Sequence, residues 1–319
     1  MGVHVERALL DCVRSVSPAI DLTYHPYTPY ERPGGTEPDL ANSEVLLGYH
    51  ARFDLAEAPR LTWLHLASDG VDHLRGAPIM SSDVAITNTR VFGVPIAEYV
   101  FGSVLAFYRD FPRMRQRFQV ERAYPSNQWA EYCGDELSGK TLAILGYGEI
   151  GRALAKRALA FDMQVIAMRR SVAEPTCEED VMVYPPRSLL TVLGVADVVA
   201  VCLPLTDETE GLLDERALRA MKPSAYLVAV GRGGVIQEEA LLRALREDWI
   251  AGAGLDVFAQ RPLPPDSPFF DLPNVIMTPH MSGITRSFPP RLASLFSENL
   301  RRYLADEPLL NLVDKIKGY

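Results

Sequence analysis

The chain has 319 residues, 48% of them hydrophobic and 23% charged, the balance of a water-soluble globular protein long enough for about two domains with their own cores. Its formal net charge of -9 is the wrong sign for a protein that tracks nucleic-acid phosphates, and no uninterrupted apolar run approaches the ~20 residues of a membrane span. The first residues lack the basic-then-apolar pattern of a secretion signal, so the expectation is a cytoplasmic enzyme with a small-molecule substrate and neither nucleic acid nor membrane as partner.

In chain order, residues 5–16 carry a helical apolar pattern, residues 20–24 read as a strand, and residues 25–39, rich in Pro, Gly and Tyr, read as an exposed loop. Residues 45–49 and 61–66 are two more apolar strands. The second runs directly into Ala67-Ser68-Asp69-Gly70-Val71-Asp72, a turn of the kind at which α/β folds place ligands. Residues 94–117 read as one long helix, followed by a polar loop around Trp129.

The stretch from Ser138 to Gly151 reads as strand, glycine turn and helix start. Gly146 suits a tight turn, Gly148 presents no side chain to a pyrophosphate, and Gly151 lets the helix pack closely on its strand. With Tyr147, Glu149 and Ile150 these residues form the candidate dinucleotide turn. Further strands follow at 164–168, 197–203, 225–230, 251–257 and 274–277, with helical stretches near 187–193, 214–220 and 237–247. Six strands with crossovers predict a doubly wound parallel sheet of Rossmann type. Residues 288–305 are amphipathic, with Leu292, Leu295, Phe296, Asn299, Leu300 and Tyr303 along one side, and are expected to return the chain to the first domain. Cys12, Cys133, Cys177 and Cys202 are scattered without metal spacing, which predicts neither a disulfide nor a metal site.

The glycine turn, then Cys202-Leu203-Pro204-Leu205 with Thr209, Val230-Gly231-Arg232-Gly233-Gly234, Leu255-Asp256-Val257-Phe258 and Thr278-Pro279-His280, in that order and spacing, resemble the D-isomer-specific 2-hydroxyacid dehydrogenases. The resemblance covers nearly the whole chain from Trp63. It implies two α/β domains closing over a cleft: a dinucleotide-binding domain at residues 93–285, and a smaller, discontinuous flavodoxin-like substrate domain at 1–92 plus 286–319. It implies hydride transfer between a nicotinamide and the 2-carbon of a small keto or hydroxy acid of glyoxylate or hydroxypyruvate type. It also implies that Leu203, Pro204, Thr209, Val230, Gly231, Asp256, Ser282 and Gly283 contact the cofactor, Asp256 receiving the nicotinamide amide.

Such chemistry requires a cation for the substrate carboxylate and carbonyl, a proton donor, and a group that orients the donor. Arg232 suits the first role, because a guanidinium binds a carboxylate through two parallel hydrogen bonds. His280 suits the second, because imidazole titrates near neutral pH. For the third, the family pattern places a glutamate before the proline of Pro-Leu-Pro, where this chain has Arg261. A cation beside imidazolium disfavours it by roughly 1 to 3 pK units. Four readings stand open: another acid such as Asp266 takes over, Arg261 binds a second anionic group, the chemistry needs little proton transfer, as in formate dehydrogenases of the superfamily, or Arg261 points to solvent. Ser68, Asp69, Gly70 and Val71 stand at the family's substrate loop, whose backbone N–H groups would hold the substrate carboxylate, but the family usually has small residues where this chain has Ser68 and Asp69; Asp69 either repels an anionic substrate or caps the following helix. Ala229 stands where an asparagine is common before the arginine.

Met168-Arg169-Arg170-Ser171 replaces the acid that would bind the ribose 2′-hydroxyl of NAD, and two guanidiniums with a hydroxyl predict NADP as cofactor, NAD remaining possible. Tyr99, Phe107, Tyr108, Phe111 and Met114 on the long helix suggest a homodimer, against burial on the chain's own sheet. Two other functions are consistent with these residues: an enzyme for an unusual anionic substrate with a non-standard site, and a catalytically weak dinucleotide-binding redox sensor.

Overall fold

The computed structural model describes residues 3–23, 40–48, 54–120, 122 and 133–318. The chain divides into two units, Met1–Phe92 with Thr285–Tyr319, and Gly93–Ile284. The first begins with helix α1 (Val3–Arg14) and carries strands β1 (Val45–Gly48), β2 (Trp63–Leu66) and β3 (Ala85–Thr87), paired in parallel in that order. β2 is central and buried on both faces, as its run of apolar residues requires. The strand expected at 20–24 does not form among described residues 20–23: Ile20 and Leu22 alternate inward onto the cluster around Val13 and Trp63 without joining a ladder. The pattern reported burial, and burial does not require strand pairing. The loop expected at 25–39, Tyr49 and the loop around Trp129 lie outside the described residues.

The second unit opens with α2 (Gly93–Tyr108) and α3 (Phe111–Arg115), then a π-helical turn at Gln116–Val120. The single helix expected over 94–117 is broken between α2 and α3. Pro112 lacks an N–H and its ring excludes the carbonyl four residues back, that of Tyr108. That carbonyl instead accepts the Asp135 N–H at 2.7 Å, and Asp110 turns left-handed with φ 53°.

The sheet follows: β4 (Thr141–Leu145), α4 (Glu149–Ala160), β5 (Gln164–Met168), the hairpin β6 (Thr176–Glu178) and β7 (Val181–Tyr184), α5 (Leu189–Val195), β8 (Val198–Val201), α6 (Glu215–Arg219), β9 (Tyr226–Ala229), α7 (Glu238–Arg246), β10 (Gly252–Leu255) and β11 (Val275–Met277). Their order across the sheet is β11-β10-β9-β8-β4-β5-β7-β6, parallel except for the antiparallel edge pair β6–β7. The direction of winding reverses between β4 and β8, the place where such sheets bind ligands. Eight strands rather than six form this sheet. The hairpin is the addition, and its acidic run Glu178-Glu179-Asp180 carries no apolar signal.

β8, β9 and β10 are fully buried, with helices on their faces. α2 approaches β10 closely because a Cβ on Gly254 would stand 2.3 Å from Ser103 Oγ. Phe107 stacks on Tyr226 at 4.1 Å and Tyr108 is buried, so these aromatics serve the chain's own sheet. Phe111, by contrast, is 58% exposed. The last helix, α8 (Phe288–Leu304), belongs to the first unit and packs on α1. Its Phe296 and Tyr303 lie against Trp63 at 5.3 and 5.6 Å between ring centres. Burying an indole this completely is worth about 2–3 kcal/mol. Among the described residues no helix is long and apolar enough to cross a membrane, and no cluster of three or more metal-ligating side chains occurs.

Candidate active site

The glycine turn leaves β4 beside the switch point. Gly146 has φ 106°, and a Cβ there would lie 3.0 Å from the Cys202 carbonyl; one on Gly151 would lie 2.4 Å from the Gly146 oxygen. Both positions exclude a side chain. Gly148 differs, since a Cβ there meets nothing within 4 Å. Space is left on the very residue that caps α4, and no side chain caps that helix. Its first-turn N–H groups therefore point to where an anion fits, so the residues suit a dinucleotide pyrophosphate. Glu149 is committed elsewhere: its Oε1 accepts the Gly93 N–H at 3.0 Å. Tyr147 is buried, with the Arg152 guanidinium 4.7 Å from its ring centre, and Ile150 is half-buried.

Two further loops border the turn. Val230 and Gly231 donate their N–H groups to Val201 O at 3.1 and 3.0 Å, which stitches the loop after β9 to the end of β8. Gly231 presses so closely on Leu203 that a Cβ would stand 2.4 Å from its carbonyl oxygen. Thr209 closes the loop beginning at Pro204, its hydroxyl donating to Pro204 O at 2.7 Å and accepting the Thr206 N–H at 2.9 Å. Arg232 follows, half-buried and extended, with Nη1 donating to the Gly231 carbonyl at 3.0 Å. Ala229 is buried within β9. Cys202 is half-buried, and burial pushes its thiol up to about 12, which keeps it protonated and unreactive near neutral pH.

His280 occupies a turn with φ 57°, unusual for a residue with a side chain, and its N–H bonds the Thr278 carbonyl at 3.0 Å. Asp256, with no exposed surface, holds this turn. Its Oδ1 accepts the Thr278 hydroxyl at 2.6 Å and the Met281 N–H at 2.8 Å, and its Oδ2 accepts the Ser282 N–H at 2.9 Å. Because the Thr278 proton goes to a carboxylate, the 2.7 Å bond from Tyr99 must be donated by the phenol. The chain Tyr99, Thr278, Asp256 and the Met281 and Ser282 amides thus fixes the backbone on both sides of His280. Gly283 is half-buried beyond it. Tyr99 and the role of Thr278 in this chain were not legible in the sequence, since nothing local marks a contact 179 residues away.

Arg261 and Asp266 lie exposed in the loop after β10, whose Ala259 N–H is held by Glu238 Oε1 at 2.6 Å. At the end of β5 the predicted phosphate site is already paired. Arg169 bonds Glu178 with both Nη1 (2.9 Å) and Nη2, and these bonds hold the Glu178 carboxyl below the usual range. Arg170 Nη1 lies 3.0 Å from Glu208 Oε2, and Ser171 is exposed.

In the first unit the loop after β2 is secured from beneath. Asn88 Nδ2 bonds the Asp69 carbonyl at 2.6 Å, Thr89 N–H bonds the Ser68 carbonyl at 3.0 Å, and Ser68 Oγ bonds Gly70 O at 3.2 Å. Asp69 does not cap the following turn of 3-10 helix, whose cap residue is Val71, buried and without a side-chain cap bond. Its Oδ1 lies 3.4 Å from Asn88 Nδ2 instead. His65 anchors the same region, and its protons can be assigned. The Thr89 hydroxyl donates to Leu66 O at 2.7 Å, so it accepts from His65 Nε2–H at 3.1 Å. Nδ1 then accepts the Thr87 hydroxyl at 2.7 Å, and Thr87 Oγ1 accepts Trp63 Nε1–H at 2.8 Å. Burial lowers the His65 pKa to about 4.

Residues 101–282 match the family described as D-isomer specific 2-hydroxyacid dehydrogenase, NAD binding domain. The chain is 36% identical over 268 residues to a glyoxylate reductase of Thermofilum pendens, covering 81% of this chain and 76% of the relative. It is 35% identical to glyoxylate/hydroxypyruvate reductase B of Pectobacterium carotovorum, covering 88% of this chain and 89% of that one. A D-isomer specific 2-hydroxyacid dehydrogenase from Xanthobacter autotrophicus, solved with NADPH and MES, superposes with a TM-score of 0.83 at 30% identity, covering 100% of this chain and 98% of that one. The chain therefore belongs to the D-isomer-specific 2-hydroxyacid dehydrogenases, oxidoreductases that act on the CH–OH group of hydroxy acids.

Proposed function

We propose that this chain reduces small 2-keto acids of the glyoxylate and hydroxypyruvate type with NADPH, accepting NADH less well. In this reading residues 93–285 bind the dinucleotide, and residues 1–92 with 286–319 bind the substrate. The glycine turn from Gly146 to Gly151 would hold the pyrophosphate, and Arg169, Arg170 and Ser171 the 2′-phosphate. When bound, the nicotinamide supplies a hydride for the keto carbon.

The rest is the work of side chains. Arg232 holds the substrate carboxylate through two N–H donors and draws charge from the carbonyl. A ring nitrogen of His280 gives its proton to the 2-oxygen as negative charge develops there. Asp256 keeps the histidine turn in place and presents acceptor oxygens at the end of β10. Arg261 takes no part in proton transfer, because a guanidinium is far too weak an acid to give up a proton near neutral pH and has no lone pair to accept one. The observation that carries this reading is the buried Asp256 carboxylate, which spends three hydrogen bonds on the turn that carries His280. The relatives named for glyoxylate reduction and the NADPH-bound relative support the substrate class and the cofactor. The exposed Phe111, Phe118 and Val120 support a homodimer, and the composition supports a cytoplasmic location.

The test is oxidation of NADPH and of NADH by the purified protein with a panel of 2-keto acids, dicarboxylic ones included, across pH. Turnover of glyoxylate or hydroxypyruvate with NADPH preferred is expected. Tight dinucleotide binding without turnover on any keto acid would refute the reading and favour a redox sensor.

A further inference from the structure

The arginine most suited to an adenosine 2′-phosphate is already engaged by a carboxylate of its own chain. Arg169 follows β5 and spends both terminal nitrogens on Glu178, each side chain about a quarter exposed. Arg152, from α4, adds a third contact to Glu178 Oε2 at 3.4 Å. Glu178 is delivered there rigidly. It ends β6, and the two-residue turn Glu179-Asp180, with φ 47° and 68°, folds the chain straight back into β7, opposite Val181. Such a turn matches the twist of its strands and leaves its flanking residues little freedom. Meanwhile Arg169 Nε is buried and has no hydrogen-bond partner among the described residues, so the guanidinium retains a donor that none of them satisfies.

We infer that Glu178 sets the discrimination between phosphorylated and unphosphorylated dinucleotides, competing with a 2′-phosphate for Arg169 and accepting the hydrogen of a 2′-hydroxyl. A phosphate monoester near neutral pH carries close to two negative charges. To reach Arg169 it must displace the carboxylate or lie beside it against like charge. A hydroxyl has a proton to donate, and Glu178 can accept it without releasing Arg169. The chain therefore holds both recognition elements at one place: the guanidinium that suits the phosphorylated cofactor, and an acid, contributed by the hairpin instead of by the end of the second strand, that suits the other. Their balance makes the preference for NADPH weaker than the pair Arg169-Arg170 would give alone.

This inference rests on the dinucleotide reading above. The test is fluorescence titration of NADPH and NADH into the wild type, Glu178→Gln, Glu178→Ala and Glu178→Asp, which reads binding without turnover. Glu178→Gln removes the charge and keeps an acceptor, so the NADPH dissociation constant should fall about tenfold while that of NADH stays within about threefold. Glu178→Ala should strengthen NADPH and weaken NADH, and Glu178→Asp, which restores the charge, should return the NADPH to NADH ratio toward that of the wild type. A ratio unchanged within about twofold in Glu178→Gln overturns the role of Glu178 alone. A wild type that binds neither dinucleotide overturns both this inference and the reading beneath it.

Discussion

His65 offers a quantitative test of how the loop after β2 is supported. It has no exposed surface, and its neutral ring is specified by three hydroxyl and indole partners whose protons are all assigned. Protonating Nδ1 would set two donors against each other across the 2.7 Å contact with Thr87, and burial lowers the pKa from 6.5 to about 4. In the unfolded chain the ring takes up its proton near 6.5, so the unfolded state binds more protons between those two values. The stability contributed by the neutral ring is therefore complete above pH 6.5 and is lost as pH falls toward 4, in total about 3 kcal/mol. Between pH 7.5 and 5 the linkage integral gives a loss of about 2 kcal/mol from this residue. Carboxylates titrate in the same range, so the quantity to measure is a difference. Urea unfolding of the wild type and of His65→Gln, at both pH values and followed by tryptophan fluorescence, should show the wild type losing about 2 kcal/mol more than the variant on acidification. Equal losses in the two proteins, within about 0.5 kcal/mol, would refute the assignment of a neutral buried ring.

Other consequences can be measured separately. Tyr99→Phe removes the bond to Thr278 and should cost about 1 kcal/mol in the reaction barrier, about fivefold in kcat, with dinucleotide affinity unchanged; a parallel loss of affinity would show general damage instead. Gly151→Ala forces a Cβ to 2.4 Å from the Gly146 oxygen and should destabilise the second unit by about 1–3 kcal/mol in urea unfolding. Arg261→Glu places a carboxylate before Pro262, where the resemblance to the family leads one to expect it. If that loop reaches His280, the pH at which keto-acid reduction falls away should rise by about one unit, because a neighbouring carboxylate favours imidazolium. An unchanged profile puts Arg261 outside the site.

What could be read from the sequence was whatever is written in local spacing. The glycine turn and the alternation of strand and helix follow from short apolar runs and glycines whose neighbours lie a few residues away. The features that escaped depend on distant partners. The helix over 94–117 was interrupted by Pro112, a residue visible in the sequence, but the break is satisfied by Asp135, far along the chain. β3 has only three residues, too few for a period to register. The β6–β7 hairpin is carried by turn geometry at Glu179 and Asp180, which are not the Asn-Gly or Asp-Gly usually read as a hairpin signal. Within the candidate site, Arg232, His280 and Asp256 were named from motif order, whereas the Tyr99–Thr278 bond and the Arg169–Glu178 pair became visible only once the chain was folded.

The most direct test of the proton role of His280 is single-turnover reduction of glyoxylate by NADPH already bound to the enzyme, in the wild type and in His280→Asn, with NADPH affinity measured on both. A fall of about 10²–10⁴ in the reduction rate with NADPH affinity preserved is the expected result. A variant that reduces glyoxylate within tenfold of the wild type would contradict it, and the proton would then have to come from another group.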